Sequence, residues 1–304
     1  MTLFLAIIIG LLVAATPLVF AALGELVVER AGVLNLGVEG MMVVGAVAAF
    51  IAAQATGSPA LGLLSGMLAS VAMALLFGVL TQLLLANQVA SGLALTMFGL
   101  GLSALVGQGY TGKSAPLFPK ILLTDVAAID PLVPGAVLLA VAVAWFLERT
   151  RSGLILKAVG ENHDAAHAIG YSVVGVRMAA IAFGGACAGL GGAYLSLVQT
   201  PFWVEKMTTG RSWIALALVV FATWRPPLRV LIGAYLFGGI SILQLHAQGL
   251  GFQIDAQILA MLPYLATIAV VVLMSRPTAD AVANAAKFRV AAPKCLGKPF
   301  HAAS

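Results

Sequence analysis

Apolar runs of about 20 residues follow one another along almost the whole chain, and they limit its fold more than any other feature. A helix of that length crosses the roughly 30 Å hydrocarbon core of a bilayer. Backbone polar groups in lipid must be bonded within one helix or in a closed barrel, and the alternating pattern of barrel strands is missing here. The sequence therefore predicts an all-α polytopic membrane protein with about nine transmembrane helices. The runs are residues 2–23, 33–55, 59–86, 88–106, 131–147, 178–199, 212–224, 230–246 and 257–275.

The composition excludes a soluble protein. Of the 304 residues, 62% are hydrophobic and 9% are charged, whereas a soluble domain carries about 25% charged residues. A soluble core could not bury so much apolar surface. The isoelectric point near 9.4 does not indicate a nucleic-acid partner, because the basic residues are spread over loops and a tail. We expect the chain to be surrounded by a lipid bilayer and to bind no nucleic acid.

The distribution of Lys and Arg between alternate loops predicts the orientation. Twelve of the 16 basic residues fall on one side, and four fall on the other. Because positive charge is retained in the cytoplasm, we expect an N-terminus outside and a C-terminus in the cytoplasm. We assign residues 1–276 to a transmembrane domain with a charged cytoplasmic segment at 148–177, and we expect the tail 277–304 to be partly disordered.

The charged cytoplasmic segment contains a short, well-delimited helix between Gly160 and Gly170. Asn162 can cap its first turn, and Gly170 suits its C-terminal end. Acidic residues lie near its start, where the helix dipole favours them. A small apolar face consists of Ala165, Ala168 and Ile169. Two interpretations remain open: a helix that lies on the membrane surface, or a helix that docks in a groove of a cytoplasmic partner.

The second apolar run opens with polar and glycine residues, namely Asn35, Gly37, Glu39 and Gly40. A carboxylate inside a membrane helix costs a few kcal/mol, so it normally faces a cavity or a partner. Helices interrupted by glycine also mark transport sites. These four residues are therefore candidates for lining a translocation path. The alternative is that Glu39 pairs with Arg30 or caps a broken helix end.

Small residues recur at four-residue spacing on two of the runs. Gly185 and Gly189 lie on the sixth run, and Gly62 and Gly66 lie on the third. This spacing predicts close packing of the two helices against their neighbours and requires no other function.

One loop imitates a phosphate-binding motif, with Gly107, Gly112, Lys113 and Ser114 at the required spacing. Such a loop binds phosphate only between a strand and the start of a helix. A membrane helix precedes this loop, and Pro116 and Pro119 prevent a long helix from starting. We therefore predict no nucleotide site here.

His163 and His167 are four residues apart, a spacing at which two histidines can share a helix face. A metalloprotease signature requires Glu after the first His, and this chain has Asp164 there. No third ligand lies nearby in the sequence. We expect two solvated histidines and no metal.

Three stretches of the chain resemble permeases of the branched-chain amino acid and simple-sugar ABC importer superfamily, most closely its nucleoside-type branch. They are 29–42 (ERAGVLNLGVEGMM), 151–154 (RSGL) and 158–162 (AVGEN), the last followed by Ala165, Ala166 and Gly170. The likeness extends over roughly residues 18–275. His163 departs from the pattern, which usually has Pro at this position.

The resemblance implies that residues 161–170 form a coupling helix seated in a cleft of an ATPase subunit. The coupling residues would be Glu161, Asn162, Asp164, Ala165, Ala166 and Gly170. It also implies a homologous second permease subunit and an extracytoplasmic solute-binding protein. The chain would then be no enzyme and need no cofactor, since the partner hydrolyses ATP. We expect a permease subunit of an importer for nucleosides or related bases, or alternatively for simple sugars or branched-chain amino acids.

Two other classes of membrane protein agree with part of the sequence. An ion-coupled secondary transporter requires a relay of intramembrane ionisable residues, and Glu39 is the only carboxylate that falls within the runs. A channel or a structural subunit needs neither a capped cytoplasmic helix nor an ATPase. Four aromatic residues near the outer side could stack on a base but equally suit a membrane interface: Tyr110, Phe202, Trp203 and Trp213.

Overall fold

A computed structural model describes residues 2–116, 118–124, 127–222, 227–249 and 292–301, together with isolated positions between 261 and 272. Six helices in these ranges are long and apolar enough to cross a membrane. They are α1 Thr2–Arg30, α2 Val38–Thr56, α3 Pro59–Gly78, α4 Gln88–Gly107, α5 Leu132–Arg149 and α8 Val173–Tyr194. The other described helices are α6 Arg151–Glu161, α7 His163–Ala168, α9 Arg211–Phe221 and α10 Pro227–Gly249. Single π-helical turns, Val79–Leu83 and Leu195–Gln199, continue α3 and α8.

The prediction of a helical membrane protein is confirmed. Eight of the nine apolar runs coincide with helices, and six of these are long enough to span a bilayer. The ninth run, 257–275, lies outside the described residues apart from isolated positions. The count of nine spans and the orientation of the termini therefore stay predictions. Helix α6 was not predicted, because its charged and apolar residues alternate in a segment that reads as a polar loop.

Polar side chains fix where several helices begin. Ser58, Asn87, Thr150 and Ser172 each accept a hydrogen bond from the backbone N–H group three residues later. These bonds satisfy amide groups that have no partner inside the helix. Pro59 follows the first of these caps and begins α3, where its fixed φ angle suits a helix and its missing N–H group costs nothing.

A short hairpin interrupts the helical architecture between α4 and α5. Strand β1 (Ile121–Thr124) pairs antiparallel with β2 (Ala127–Ile129). The preceding loop pairs with the segment after α8, through Thr111 with Trp203 and Ser114 with Phe202. The hairpin was not predicted from the sequence, because its two strands are too short to give a clear alternating pattern.

The core is formed by α1, α2, α3 and α8, which pack through small residues. Gly66 of α3 lies against the carbonyl oxygen of Gly45 on α2, and Gly189 of α8 lies against the carbonyl oxygen of Gly66. The predicted close packing of the small-residue runs is confirmed. Helix α2 is the most enclosed, since 72% of its span is buried, compared with 28–33% for α3, α4 and α5. Glu39, near its start, consequently lies in the protein interior.

Helix α9 is short because it begins inside the bundle. At the far end of α2, Gln54 donates a hydrogen bond to the carbonyl of Ser114, which pairs with Phe202. Ser212, ten residues after Phe202, contacts Glu39 at the start of α2. Glu39 and Gln54 are separated by about 22 Å of helix. The chain after α8 therefore descends along most of α2 before α9 starts, so that α9 is a half-helix.

Candidate coupling surface and buried polar sites

The ends of α7 are fixed by Asn162 and Gly170. The side-chain oxygen of Asn162 accepts a hydrogen bond from the backbone N–H of Ala165 at 3.0 Å. Gly170 has φ of +93°, a conformation that other residues rarely adopt, and its N–H group donates to the carbonyl of His167 at 2.8 Å. The predicted start and stop of this short helix are confirmed. A helix of six residues held in this way is a stiff projection rather than a loop.

The two faces of α7 differ in their surroundings. Ala165, Ala168 and Ile169 are all exposed, and 71% of Ile169 is accessible. Asp164 lies on the exposed side as well. The small apolar face predicted from the sequence thus points away from the rest of the chain. We call Asp164, Ala165, Ala168, Ile169 and Gly170 the coupling surface, after the role that the resemblance implies for this helix.

Ala166 lies on the opposite face of α7. It is 2% exposed and packs with Val159, Val173 and Phe300. The sequence grouped Ala166 with the residues that contact an ATPase, but its methyl group faces the interior of this chain. Glu161 is exposed at the end of α6, and its carbonyl oxygen accepts a weak hydrogen bond from the Cys295 thiol.

Arg177, near the start of α8, is fully buried and bound on three sides. Its Nε donates to the carbonyl of Ala31 at 3.2 Å. Nη1 donates to Oε1 of Gln82 at 3.3 Å and to the carbonyl of Lys298 at 3.1 Å. Nη2 donates to Nδ1 of His163 at 3.1 Å. Each of these acceptors is neutral, so the charge of the guanidinium is stabilised by hydrogen bonds to neutral polar groups and not by a carboxylate.

His163 is therefore a neutral acceptor rather than a solvated histidine, and the prediction for this residue was wrong. Arginine has only donors, so Nδ1 of His163 must accept and the ring proton sits on Nε2, which faces Asp164 at 3.6 Å. Burial lowers the pKa of His163, and the charge of Arg177 lowers it further, while Asp164 acts in the opposite direction. His167 is exposed, as expected. Among the residues that the structure describes, no group of three potential metal ligands is present.

Glu39 lies against the N-terminus of the half-helix α9. It is 4% exposed, and its Oε2 accepts a short hydrogen bond from the hydroxyl of Ser212. The Thr208 hydroxyl and the backbone N–H groups of Gly210 and Ser212 face the same carboxylate. Free N–H groups and the helix dipole make such an end favourable for an anion. Its other oxygen, Oε1, is buried without a hydrogen-bond partner among the described residues. The sequence left open that Glu39 caps the end of a broken helix. Glu39 does lie at a helix end, and the helix is α9.

The other three predicted path residues shape the start of α2. The side-chain oxygen of Asn35 accepts from the N–H of Gly37 at 2.9 Å, and the N–H of Asn35 donates to Glu25 at 3.3 Å. At Gly40 any larger side chain would collide with the backbone of α4 at Leu95. These residues position α2 against its neighbours, whereas Glu39 contacts a polar group on another apolar helix.

Two further carboxylates lie inside α1, so the expectation of a single intramembrane acid was wrong. Glu25 and Glu29 are both buried in the stretch Ile7–Arg30 that can span a membrane. The first apolar run ends before them in the sequence, but the helix continues to Arg30.

The loop that imitates a phosphate-binding motif lacks the required surroundings. Helix α4 ends at its first glycine, a 3₁₀ turn at 108–110 lies within it, and β1 is the next regular element after it. The expectation that no long helix starts there is confirmed. Lys113 lies 4.8 Å from the ring centre of Tyr110, an aromatic neighbour that suits its charge.

The four aromatic residues that the sequence placed near the outer side do not lie together. Trp213 is in the first turn of α9, which contacts the start of α2 at Glu39, whereas Phe202 lies at the far end of α2. Trp203 is buried and packs on Gly107 of α4, and Tyr110 packs edge-on against Phe50. Phe202 and Trp213 are exposed. Trp213 follows Ser212 in α9, where the side chains of adjacent residues point in different directions.

The chain has relatives along nearly its whole length. Residues 7–274 match the family described as branched-chain amino acid transport system / permease component. The "Putative glucose ABC transporter permease protein TsgC13" of Haloferax volcanii is 41% identical over 95% of each chain. A nucleoside ABC transporter permease of Lactococcus lactis is 30% identical over 91% of this chain and 95% of its own. A guanosine ABC transporter permease of Bacillus subtilis is 32% identical over 95% and 94%.

No solved structure matches the chain. The family match covers well over half of the sequence, and the relatives are transport subunits rather than enzymes. The six membrane-capable helices agree with the multi-pass architecture of such subunits. The chain therefore belongs to the branched-chain amino acid transport system permease family and is a multi-pass permease subunit of an ABC transporter in the plasma (inner) membrane.

Proposed function

We propose that this permease is half of the membrane channel of an ATP-driven importer and that an ATPase subunit docks on its coupling surface. The observation that carries the proposal is the exposed apolar face of α7. Ala165, Ala168 and Ile169 form this face at the end of a capped helix, next to Asp164. An apolar patch with a polar rim is typical of a protein interface. The interpretation of α7 as a helix lying on the membrane has less support, because Asp164 shares its exposed side.

The positive-inside bias supports a cytoplasmic position for α7. Arg30, Arg149, Arg151 and Lys157 lie at the same end of the helices as α7. A cytoplasmic ATPase would meet this end. Cysteine at Arg151 should accordingly react with an impermeant maleimide only after cell lysis, whereas cysteine at Lys113 should react in intact cells. Labelling of Arg151→Cys before lysis would show that the orientation is the opposite of the predicted one and that α7 is not in the cytoplasm.

Energy must reach the translocation path through contacts between subunits. A second, homologous permease subunit would complete the path, and a solute-binding protein would deliver substrate from outside. We place Glu39 and Ser212 at this path, because a buried carboxylate facing the end of a half-helix inside a membrane marks such sites. Asn35, Gly37 and Gly40 support α2 behind it.

The proposed substrates are nucleosides or related bases. Two relatives with nucleoside or guanosine in their names align with more than nine-tenths of this chain. Trp213, an exposed aromatic residue in the first turn of α9, offers a ring on which a base could stack. A simple sugar is the second candidate, favoured by the relative at 41% identity. Branched-chain amino acids are a third.

Docking can be tested by co-purification of the ATPase with tagged permease. Ile169→Asp places a charge in the apolar face, and burying an unpaired charge costs several kcal/mol, which is enough to release a micromolar partner. The matched control is Leu154→Asp, also an exposed apolar residue but on α6. If Ile169→Asp retains the ATPase and transports normally, α7 is not the docking helix.

Competition of uptake by unlabelled guanosine or glucose would identify the substrate class.

A further inference from the structure

The last described segment, residues 292–301, packs on the coupling region through backbone hydrogen bonds. The N–H of Cys295 donates to the carbonyl of Gly160 at 2.9 Å, at the end of α6. The N–H of Gly297 donates to the carbonyl of Gly32 at 3.1 Å, in the turn between α1 and α2. We call this segment the C-terminal strap. It binds two elements that are far apart in the sequence.

Phe300 anchors the strap on α7. Its ring lies edge-on to the rings of both His163 and His167, with centres 5.3 Å apart in each pair. It is 6% exposed and packs with Ala166 and Val173 in a small apolar cluster separate from the main core. Aromatic contacts of this kind stabilise beyond the apolar area that they bury. Phe300 thus holds the inner face of the helix whose outer face is the coupling surface.

Arg177 connects the strap to a membrane span. It donates to the carbonyl of Lys298 on the strap, to His163 on α7 and to Ala31 before α2. Arg177 itself belongs to α8, which continues across the core. One buried guanidinium therefore joins α7, the strap, the turn after α1 and the start of α8.

The surface under the strap is rigid because two backbones touch there. Any side chain at Gly160 would collide with the carbonyl of Arg30, and a Cβ at Gly32 would lie 3.3 Å from Cα of Gly160. Backbone contacts of this kind leave no flexible side chain to absorb a displacement. The end of α6 and the turn after α1 therefore meet without a flexible side chain between them.

We infer that the C-terminal strap is a positioning element that transmits the movement of α7 to α8 and to the turn between α1 and α2. The inference rests on the proposed function, because the movement must be supplied by an ATPase at the coupling surface. The strap lies beyond residues 7–274, the part that matches the permease family. Its loss should uncouple ATP hydrolysis from movement of the spans.

The experiment uses the full complex that co-purifies with the permease, and Phe300→Ala as the variant. Cys295 is a buried residue of the strap that contacts the end of α6, so its rate of maleimide labelling, in a Cys187→Ala background, reports whether the strap is docked. Removing a buried aromatic ring should raise this rate at least about tenfold. Lys294→Ala is the matched control, because Lys294 is an exposed residue of the same strap. Truncation after Lys298 provides a second variant without the ring.

Transmission is measured at the far end of α8. In a Cys295→Ser background, Thr200→Cys reports on the end of the span, and ATP should change its labelling rate in the complex that retains the strap. With Phe300→Ala or the truncation, ATP hydrolysis should stay within about twofold of its original rate, while the effect of ATP on Thr200→Cys disappears. The Lys294→Ala control should keep both properties.

The outcomes separate the two proposals. If the strap variants expose Cys295 but the ATP effect at Thr200→Cys persists, transmission by the strap is overturned and the permease function stands. Equal labelling of Cys295 with and without Phe300 would also overturn it, since the strap would not be docked. If no ATPase co-purifies with the unaltered permease, the proposed docking fails and the strap inference fails with it.

Discussion

Arg177 of α8 donates a hydrogen bond from Nη2 to Nδ1 of His163 on α7, over 3.1 Å. This contact joins the short helix that carries the coupling surface to a span that packs against α1, α2 and α3. It also fixes the protonation state of the imidazole. A guanidinium has only donors, so Nδ1 must accept the hydrogen bond and carries no proton. The two residues, 14 positions apart in the sequence, form one of the direct links between the coupling region and the membrane core.

Arg177→Met should destabilise the permease. The substitution keeps an unbranched apolar stem but leaves the acceptors on Ala31, Gln82 and Lys298 without their buried donor. Each unsatisfied buried acceptor costs about 1–3 kcal/mol, although water entering the site would reduce the total. Thermal unfolding in detergent should therefore show a clear fall in midpoint. Arg151→Met, at an exposed position, should change the stability by no more than about 0.5 kcal/mol.

The two faces of α7 predict opposite effects for the same substitution. Ala166→Arg forces a charge into the cluster with Val159, Val173 and Phe300, at a cost of several kcal/mol. It should reduce the yield of folded permease and expose Cys295. Ala165→Arg, on the exposed face, should leave folding unchanged but weaken ATPase binding. Equal yields of the two variants in a size-exclusion assay would contradict this assignment of faces.

The attachment of the strap should weaken at acidic pH. The pKa of His163 is lowered by burial and by Arg177, so the docked state binds fewer protons than the undocked state. Docking is then strongest above the ordinary histidine pKa of about 6.5 and is lost progressively as the pH falls below it. Asp164 opposes this shift, and Lys298 adds to it. His167 and the Cys295 thiol are the other titratable groups nearby.

The measurement is the labelling rate of Cys295 between pH 5 and 8, divided at each pH by that of Phe300→Ala to remove the intrinsic pH dependence of the thiol. The ratio should rise as the pH falls. His163→Gln supplies a neutral acceptor for Arg177 and should flatten the profile. A ratio that is independent of pH in the unaltered chain would show that His163 does not control docking.

The parts of the fold that depend on local sequence were predictable. The length of the apolar runs gave eight helices their positions, and Asn162 and Gly170 marked the ends of α7 through bonds to residues three positions away. Helix α6 was missed because a helix on the boundary between membrane and water mixes charged and apolar residues. The continuation of α1 past Glu25 was missed because burial of that carboxylate depends on its contact with Asn35.

The parts of the site that depend on distant contacts were not predictable. Ser212 lies 173 residues from Glu39, and nothing in its own neighbourhood indicates a partner. The tail 277–304 was expected to be partly disordered on the basis of its Ala and Lys/Arg content, and this stays a prediction. The contacts that hold residues 292–301 to Gly32, Gly160 and Arg177 could not be foreseen, because these partners are distant in the sequence. The remainder of the tail, 277–291, lies outside the described residues.

Glu39 and Ser212 should behave as a coupled pair. Glu39→Gln keeps the shape of the side chain and removes its charge, so the attraction to the N-terminus of α9 is lost. Ser212→Ala removes the donated hydrogen bond but leaves the backbone N–H groups of Gly210 and Ser212 in place. Both single variants should lower the thermal midpoint in detergent and slow ATP-driven uptake of guanosine or glucose.

Because the two side chains share one contact, the double variant should lose less stability than the sum of the losses in the two single variants, with an interaction energy of about 0.5–3 kcal/mol. Ser103→Ala, which removes a buried hydroxyl bonded only within α4, is the control for loss of a serine. If the effects of Glu39→Gln and Ser212→Ala are fully additive, the contact does not hold α9 in place, and if Glu39→Gln also leaves uptake unchanged, Glu39 has no part in the path.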